Sequence, residues 1–165
     1  MPSQNILNCS KALAEQELTL AFVESATAGR LAAEFSLTPD SGKILMGGLV
    51  CYDANLKIEI LRVPKELIEG FTPESAEVTK ELAERLQTYI PADIHVAITG
   101  LTTPGGSETP EKPVGTIFIY AIVKGKPIAL REVFQGGPEQ IVLQAVDRVA
   151  LLLHDQISVR PSHAS

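Results

Sequence analysis

The chain has 165 residues, a formal net charge of −6 at pH 7 and a hydrophobic content of 45%. This length suits one core, so we expect a single domain over residues 1–165. The acidic balance argues against a nucleic-acid partner, because binding to phosphates needs a basic surface. The apolar runs are too short to cross a bilayer and the start lacks a secretory pattern, so we expect a cytoplasmic protein without membrane contacts.

The cysteines and histidines do not form a metal-ligand pattern. The two cysteines, Cys9 and Cys51, lie in separate predicted elements, and we expect both to be reduced. The three histidines, His95, His154 and His163, have no spacing typical of zinc ligands. We therefore expect neither a metal nor another cofactor.

Helical and extended patterns alternate along the chain. The helical segments have apolar residues three to four positions apart, and they are 4–16, 30–37, 55–61, one further turn at 64–68, 72–89 and a last helix from Pro138. The extended segments are short apolar runs, and they are 18–23, 44–52, 94–99, 114–123 and 127–134. Thr72-Pro73-Glu74 predicts a helix start, because it combines a capping hydroxyl, a first-turn proline and an acid.

This order of elements predicts a three-layer α/β/α sandwich with a mixed, mostly parallel sheet. The parallel part comes first, and residues 114–134 add an antiparallel hairpin. We expect the core to span about 5–157 and a frayed tail over 159–165. Ligands of open α/β sheets bind outside the carboxyl ends of the parallel strands, where Ser25, Tyr52 and Gly100 are expected to meet.

Ser25 ends a strand and precedes a helix, which suits a nucleophile, and the alternative is that Ser25 or Thr27 simply caps the helix. His95 begins its strand, so it is expected at the opposite end of the sheet and not as the base. Tyr52 and Lys57 offer another arrangement, in which a neutral lysine activates the serine directly or through the phenol. The alternative is that Lys57 is a solvated helix lysine and Tyr52 a half-buried aromatic residue.

Three glycine-containing segments are candidates for ligand contacts. Thr99-Gly100 ends a strand, Gly105-Gly106 lies in the long loop 101–113, and Gly47-Gly48 interrupts a strand. Together they could offer backbone donors and space for a phosphate or a sugar. The alternative is that they only permit close packing and tight turns.

Several of these segments, in this order, resemble the CinA C-terminal domain family over about residues 5–157. The residues that carry the resemblance are Glu24-Ser25-Ala26-Thr27-Ala28-Gly29, Gly47-Gly48-Leu49-Val50-Cys51-Tyr52, Lys57-Ile58, Val63-Pro64, Leu67-Ile68, Ala97-Ile98-Thr99-Gly100, Pro104-Gly105-Gly106 and Pro110-Glu111-Lys112-Pro113-Val114-Gly115-Thr116.

The resemblance implies an α/β/α fold and an amidohydrolase that converts nicotinamide mononucleotide to nicotinate mononucleotide and ammonia without a metal. It places the catalytic serine, tyrosine and lysine at Ser25, Tyr52 and Lys57. The oxyanion and substrate contacts would lie at residues 27–29, namely Thr27, Ala28 and Gly29. We expect the stand-alone form of the domain, a nucleotide substrate and assembly into a homo-oligomer.

The sequence also departs from the family pattern. Ala26 and Ala28 replace a cysteine and a glycine of the serine turn, and the methyl group at 28 is expected to crowd the pocket. Thr102-Thr103 replace small residues of the loop. Gly137-Pro138 replace an Asp-Arg pair, which removes a cation that could bind the substrate phosphate and leaves Arg131 as a substitute.

These departures keep two other functions open. One is a catalytically silent or differently specific nucleotide-binding paralogue of the same family. The other is an interaction protein linked to competence or DNA damage, although the acidic charge argues against direct contact with DNA.

Overall fold

The computed structural model describes residues 1–158, so the tail predicted to fray from Val159 lies outside the described residues. Five strands form one sheet in the order β2-β1-β3-β4-β5. The strands are β1 (Leu20–Glu24), β2 (Leu45–Val50), β3 (Ile94–Gly100), β4 (Thr116–Val123) and β5 (Lys126–Val133). The helices are α1 (Gln4–Glu15), α2 (Arg30–Ser36), α3 (Ser41–Ile44), α4 (Ala54–Glu59), α5 (Lys65–Phe71), α6 (Ala76–Tyr89) and α7 (Pro138–Ser158).

The sheet is mixed, as predicted. β1 pairs in parallel with both β2 and β3, whereas β4 is antiparallel to β3 and to β5. Four strands therefore point in the same direction and only β4 runs against them. The β4–β5 turn consists of Lys124 and Gly125, both with positive φ, which matches the twist of a two-residue hairpin.

Helices cover both faces of the sheet, which confirms the three-layer prediction. Leu20 and Phe22 of β1 pack with α1, α2, α3 and α7 on one face. Ala21 and Val23 pack with α4, α5 and α6 on the other face. Because β1 is buried on both sides, its sequence is a continuous apolar run without alternation. Within the described part of the chain, every helix is too short or too polar to span a bilayer.

The predicted start of the long helix at Thr72 is wrong. Thr72 ends α5 with φ +71°, and its amide donates to the Ile68 carbonyl oxygen. The helix α6 begins at Ala76, where the Ser75 hydroxyl accepts a hydrogen bond from the Val78 amide. The Thr-Pro-Glu sequence therefore forms the connection between two helices, and the capping residue is the next hydroxyl along the chain.

The turn between β1 and α2 is organised by the side chain of Glu24, which is 1% exposed. Its carboxylate accepts hydrogen bonds from the Thr27 hydroxyl at 2.5 Å and from the amides of Gly29, Leu31 and Ala32 at 3.0, 3.0 and 2.8 Å. The first amides of a helix have no intrahelical acceptor, so this carboxylate caps α2. The turn is thus fixed to the end of β1.

Ala28 occupies a left-handed backbone conformation in this turn, with φ +47°. A side chain in this region costs about 1–2 kcal/mol because Cβ approaches the backbone. The methyl group of Ala28 is exposed, so it contributes little packing that would offset this cost.

We therefore expect Ala28→Gly to raise the free energy of unfolding by about 0.5–1 kcal/mol, after the greater flexibility of glycine in the unfolded chain is deducted. Urea unfolding monitored by circular dichroism measures the change. The matched control is Ala33→Gly at an exposed position inside α2, which should lower the stability by about 1 kcal/mol. A loss of stability in both variants would contradict the strain at position 28.

Candidate active site

Ser25 lies at the carboxyl end of β1, between the ends of β2 and β3. Its amide donates to the Ile98 carbonyl oxygen at 3.0 Å, and the Cys51 amide donates to the Glu24 carbonyl oxygen at 2.8 Å. These bonds extend the sheet pairing by one residue on each side. Ser25 is buried, with 5% of its surface exposed. The position matches the ligand-binding end of open α/β sheets.

Lys57 approaches Ser25 from α4. Asp53 caps this helix by accepting a hydrogen bond from the Asn55 amide at 2.8 Å. The Lys57 Nζ atom lies 3.1 Å from Oγ of Ser25 and donates to the Cys51 carbonyl oxygen at 2.9 Å. Lys57 is fully buried, and within residues 1–158 no carboxylate oxygen lies within 4.0 Å of its amine.

Burial lowers the pKa of Lys57, and the charges of Glu74, Cys51 and Asp53 oppose this shift. A buried ammonium without an ion pair is costly, so the environment favours the neutral amine. The Lys57 amine donates to the Cys51 carbonyl oxygen and to Oγ of Ser25, and its neutral form carries a lone pair that can accept the Ser25 proton. Lysines of this kind act as general bases.

Ser25 opens into a cleft of about 270 Å³. Its lining consists of Ser25, Ala26, Tyr52, Glu74, Gly100 and residues 101–106. A larger cleft of about 750 Å³ lies at the opposite end of the sheet, beside Lys124 and His154. That cleft is far from the Ser25–Lys57 pair, so we assign the chemistry to the smaller cleft.

The loop that follows β3 is held over the cleft by Lys112. The Lys112 ammonium donates to the Thr72 hydroxyl at 2.7 Å, the Glu74 carbonyl at 2.9 Å and the Ser107 hydroxyl at 2.8 Å. Glycine is required where this loop begins, because a Cβ at Gly100 would lie 2.5 Å from the Thr116 carbonyl oxygen. The loop is therefore an ordered wall of the cleft.

Two backbone amides in the turn after Ser25 are candidates for binding an oxyanion, and one of their residues, Ala26, lines the cleft. In the turn, the Ala28 amide donates to the Ser25 carbonyl at 3.1 Å, and the Gly29 amide donates to Glu24. The amides of Ala26 and Thr27 donate no hydrogen bond to any of residues 1–158. Free backbone amides next to a nucleophile are the groups that usually form an oxyanion hole.

The structure brings only some of the predicted site residues to the cleft. Ser25, Tyr52, Gly100, Gly105 and Gly106 line it, and Lys57 lies directly behind Ser25. Tyr52 is 62% exposed at the mouth, and its phenol forms no hydrogen bond with Ser25 or Lys57. The serine and the lysine are therefore in direct contact, without a phenol between them.

Other predicted residues support the turn and the sheet. The Thr27 hydroxyl is occupied by Glu24, and Thr99 is buried with its hydroxyl 2.8 Å from that of Thr79. Ala28 and Gly29 do not line the cleft, so the methyl group at 28 does not crowd it. Gly47 and Gly48 lie in the middle of β2, where a Cβ at position 48 would lie 3.0 Å from the Phe22 carbonyl.

Arg131 does not reach the cleft. Its guanidinium lies 5.8 Å from the centre of the Phe118 ring and donates to the Glu111 carbonyl oxygen. The side chain therefore stabilises the far end of the loop. Gly137 and Pro138 likewise lie outside the cleft lining.

Two acidic residues near Ser25 were not predicted from the sequence as residues of the site. Glu24 ends a buried strand just before a helix, and an acid at that place is a capping signal that could have been recognised. Glu74 was interpreted as a first-turn acid of α6, and only the fold brings it to the cleft. Within residues 1–158, acidic, cysteine and histidine side chains form no group of three that could hold a metal ion.

Comparisons with known proteins agree on one family. The sequence model of the CinA C-terminal domain matches residues 4–157. A CinA-like protein of Gemmatimonas aurantiaca is 35% identical over 132 residues, which cover 80% of this chain and 31% of that protein. A CinA-like protein of a Thermotoga species is 37% identical over 129 residues, which cover 78% and 31%. The chain spans about a third of the length of the curated relatives it matches.

Solved structures show the same fold over nearly the whole chain. A competence-damaged protein (CinA) superfamily protein of Klebsiella pneumoniae superposes with a TM-score of 0.88 at 27% identity, covering 94% of this chain and 96% of that one. A superfamily member from Escherichia coli gives 0.83 at 27% identity, covering 96% and 94%. The chain therefore belongs to the CinA C-terminal domain family.

Proposed function

We propose that the chain is a serine amidohydrolase that converts nicotinamide mononucleotide to nicotinate mononucleotide and ammonia. The observation that carries the reaction class is the 3.1 Å contact between the Ser25 hydroxyl and the buried, unpaired amine of Lys57. Ser25 is the nucleophile and Lys57 the general base in this proposal.

In the first half of the reaction, the neutral Lys57 amine accepts the Ser25 proton as Oγ attacks the carboxamide carbon. The carbonyl oxygen gains negative charge and is bound by the amides of Ala26 and Thr27. The proton on Lys57 then passes to the amide nitrogen, the C–N bond breaks and ammonia leaves. An acyl ester remains on Ser25.

In the second half, a water molecule takes the place of ammonia. Lys57 accepts a proton from this water as its oxygen attacks the ester, and the same two amides stabilise the second oxyanion. The Ser25 oxygen recovers its proton as the ester bond breaks. The balance is one amide and one water consumed, with one acid and one ammonia formed, and no metal is needed.

The choice of nicotinamide mononucleotide rests on the family resemblance of the serine turn and the loop motifs. The cleft is compatible with this substrate in one respect. Its volume of about 270 Å³ is just below the range of about 300–1,000 Å³ that encloses most small ligands, so it suits the carboxamide and its ring. The sugar and phosphate would extend past the mouth, beside Tyr52.

Of the departures that suggest a silent paralogue, Ala26, Thr102 and Thr103 line the cleft, whereas the other three residues do not. Ala28 is exposed, and Gly137-Pro138 are not part of the lining. Ala26 does line the cleft, but its amide carries the oxyanion contact, and a side chain is not needed for it. These positions favour an active enzyme with altered substrate contacts.

We expect Ser25→Ala to abolish hydrolysis while the fold is retained. The substitution removes the nucleophile but only one hydrogen bond, worth about 1 kcal/mol, so the melting temperature should change by a few degrees. Ammonia release from a panel of nucleotide and nucleoside carboxamides measures activity. Ser36→Ala, at an exposed serine of α2, is the control and should remain active. Activity near that of the parent in Ser25→Ala would exclude this serine as the nucleophile.

We expect Lys57→Met to lower kcat/KM at least about a hundredfold, a typical contribution of a general base. In the parent enzyme, kcat/KM should rise with pH as Lys57 loses its proton, with a midpoint below the ordinary lysine value of 10.5. This limb should be missing in the variant. Lys65→Met, at an exposed lysine of α5, is the control. An unchanged rate and pH profile in Lys57→Met would contradict the assignment.

We expect nicotinamide mononucleotide to exceed its riboside by no more than about a hundredfold in kcat/KM. A charge-assisted phosphate contact contributes about 1.5–3 kcal/mol, and Arg131, the expected substitute for the missing cation, packs against Phe118 and donates to the Glu111 carbonyl oxygen. Steady-state kinetics with both substrates provides the comparison. A preference of ten-thousandfold or more would show that a cation elsewhere binds the phosphate.

A further inference from the structure

The side chain of Glu74 is an acid of the cleft that the proposed mechanism does not use. It lies in the connection between α5 and α6 and lines the cleft together with Ser25. The Ser107 hydroxyl donates to its Oε2 atom at 2.6 Å. Its Oε1 atom accepts no hydrogen bond from the described residues, and none of their cationic side chains lies within 4.0 Å of the carboxylate.

The nearby Lys112 ammonium does not contact the free Oε1 atom of Glu74. The Lys112 ammonium lies close by, but it donates to the Glu74 carbonyl oxygen and to two hydroxyl groups. The carboxylate of Glu74 is therefore half-buried at the wall of the cleft and retains an oxygen for a ligand. The Ser107 hydroxyl bridges the Lys112 ammonium to Oε2 of Glu74, so Lys112 offsets part of the negative charge, while Oε1 stays free to contact a cationic group.

No other lining residue offsets this negative charge. The remaining side chains of the lining are uncharged at neutral pH, and they are Ser25, Ala26, Tyr52, Leu101, Thr102, Thr103 and Pro104. The field of Glu74 also extends to the reactive pair, since it is the main charge that opposes the lowering of the Lys57 pKa by burial. A positively charged group that enters the cleft beside Ser25 would lie in the same cleft as the Glu74 carboxylate.

We propose that Glu74 is a specificity-determining residue whose carboxylate binds a positive charge on the substrate close to the scissile amide. The substrates selected are cationic amides, such as N-substituted pyridinium carboxamides, over neutral amides of the same shape. This inference rests on the proposed amidohydrolase function and names the substrate charge that the same cleft selects. It differs from a purely structural role for Glu74, which would require only the hydrogen bond from Ser107.

Binding of two probes tests the proposal without turnover. The Ser25→Ala protein is titrated by calorimetry with 1-methylnicotinamide, a permanent pyridinium cation, and with nicotinamide, its neutral counterpart. We expect the cation to bind at least about tenfold more tightly, a typical preference for one charge pair at a partly exposed site. Adding Glu74→Gln should remove this preference and change nicotinamide binding less than about twofold.

Two further variants separate charge from structure. Ser107→Ala removes the hydrogen bond to Glu74 but keeps the carboxylate, so the preference should remain. Glu77→Gln changes the net charge equally at an exposed position of α6 and should also leave it intact. Equal affinity for the two probes in the parent, a preference that survives Glu74→Gln, or no binding of the cation would each overturn the proposal. Failure to release ammonia from any carboxamide would instead overturn the proposed function, because the binding ratio is measured independently of hydrolysis.

Discussion

The hydrogen bonds accepted by the buried Glu24 carboxylate are the interaction on which the site depends. They connect the end of a fully buried strand to the first amides of α2, so that the five-residue turn between them, residues 25–29, has a fixed position. The first residue of this turn is Ser25, and the amides of the next two residues, Ala26 and Thr27, have no acceptor among residues 1–158. One side chain thereby orients the candidate nucleophile and the candidate oxyanion hole, which is the pre-organisation that catalysis by fixed dipoles requires.

Two lysines near the cleft, the buried Lys57 and the half-buried Lys112, differ in the number of oxygen atoms that accept hydrogen bonds from their amines. Lys112 has three oxygen acceptors, which satisfy an ammonium and hold the loop in place. Lys57 has one carbonyl oxygen and one serine hydroxyl, and burial lowers its pKa. Burial of an amine with few acceptors favours its neutral form. The fold thus places a lysine that holds the loop at the wall and a candidate proton acceptor beside Ser25, while Glu74 adds a negative charge to the lining of the cleft.

Much of the fold follows from local pattern. Strands buried on both faces need continuous apolar runs, and helices on a sheet need an apolar stripe, so the three layers and the order of the elements, apart from the short helix α3, were predicted correctly. The start of α6 was predicted wrongly, because Thr72 and Ser75 both have capping hydroxyls and only the positive φ of Thr72 decides between them. Arg131 was expected to bind the substrate phosphate, but its direction depends on packing against Phe118, a contact between neighbouring strands that spacing does not encode.

The sequence by itself determined the family, the sheet end at which the candidate site lies and the residue types proposed to carry the reaction. These properties are encoded in short ordered motifs and in the position of a serine between a strand and a helix. Only the tertiary structure decided which candidate residues meet. It places Lys57 in direct contact with Ser25, and Tyr52 at the mouth of the cleft. The Thr27 hydroxyl donates to Glu24, and Arg131 lies away from the cleft. It also brought Glu74 to the cleft. Distances between side chains on different elements, and the burial that shifts a pKa, arise from the packing of segments remote in sequence, which local patterns do not specify.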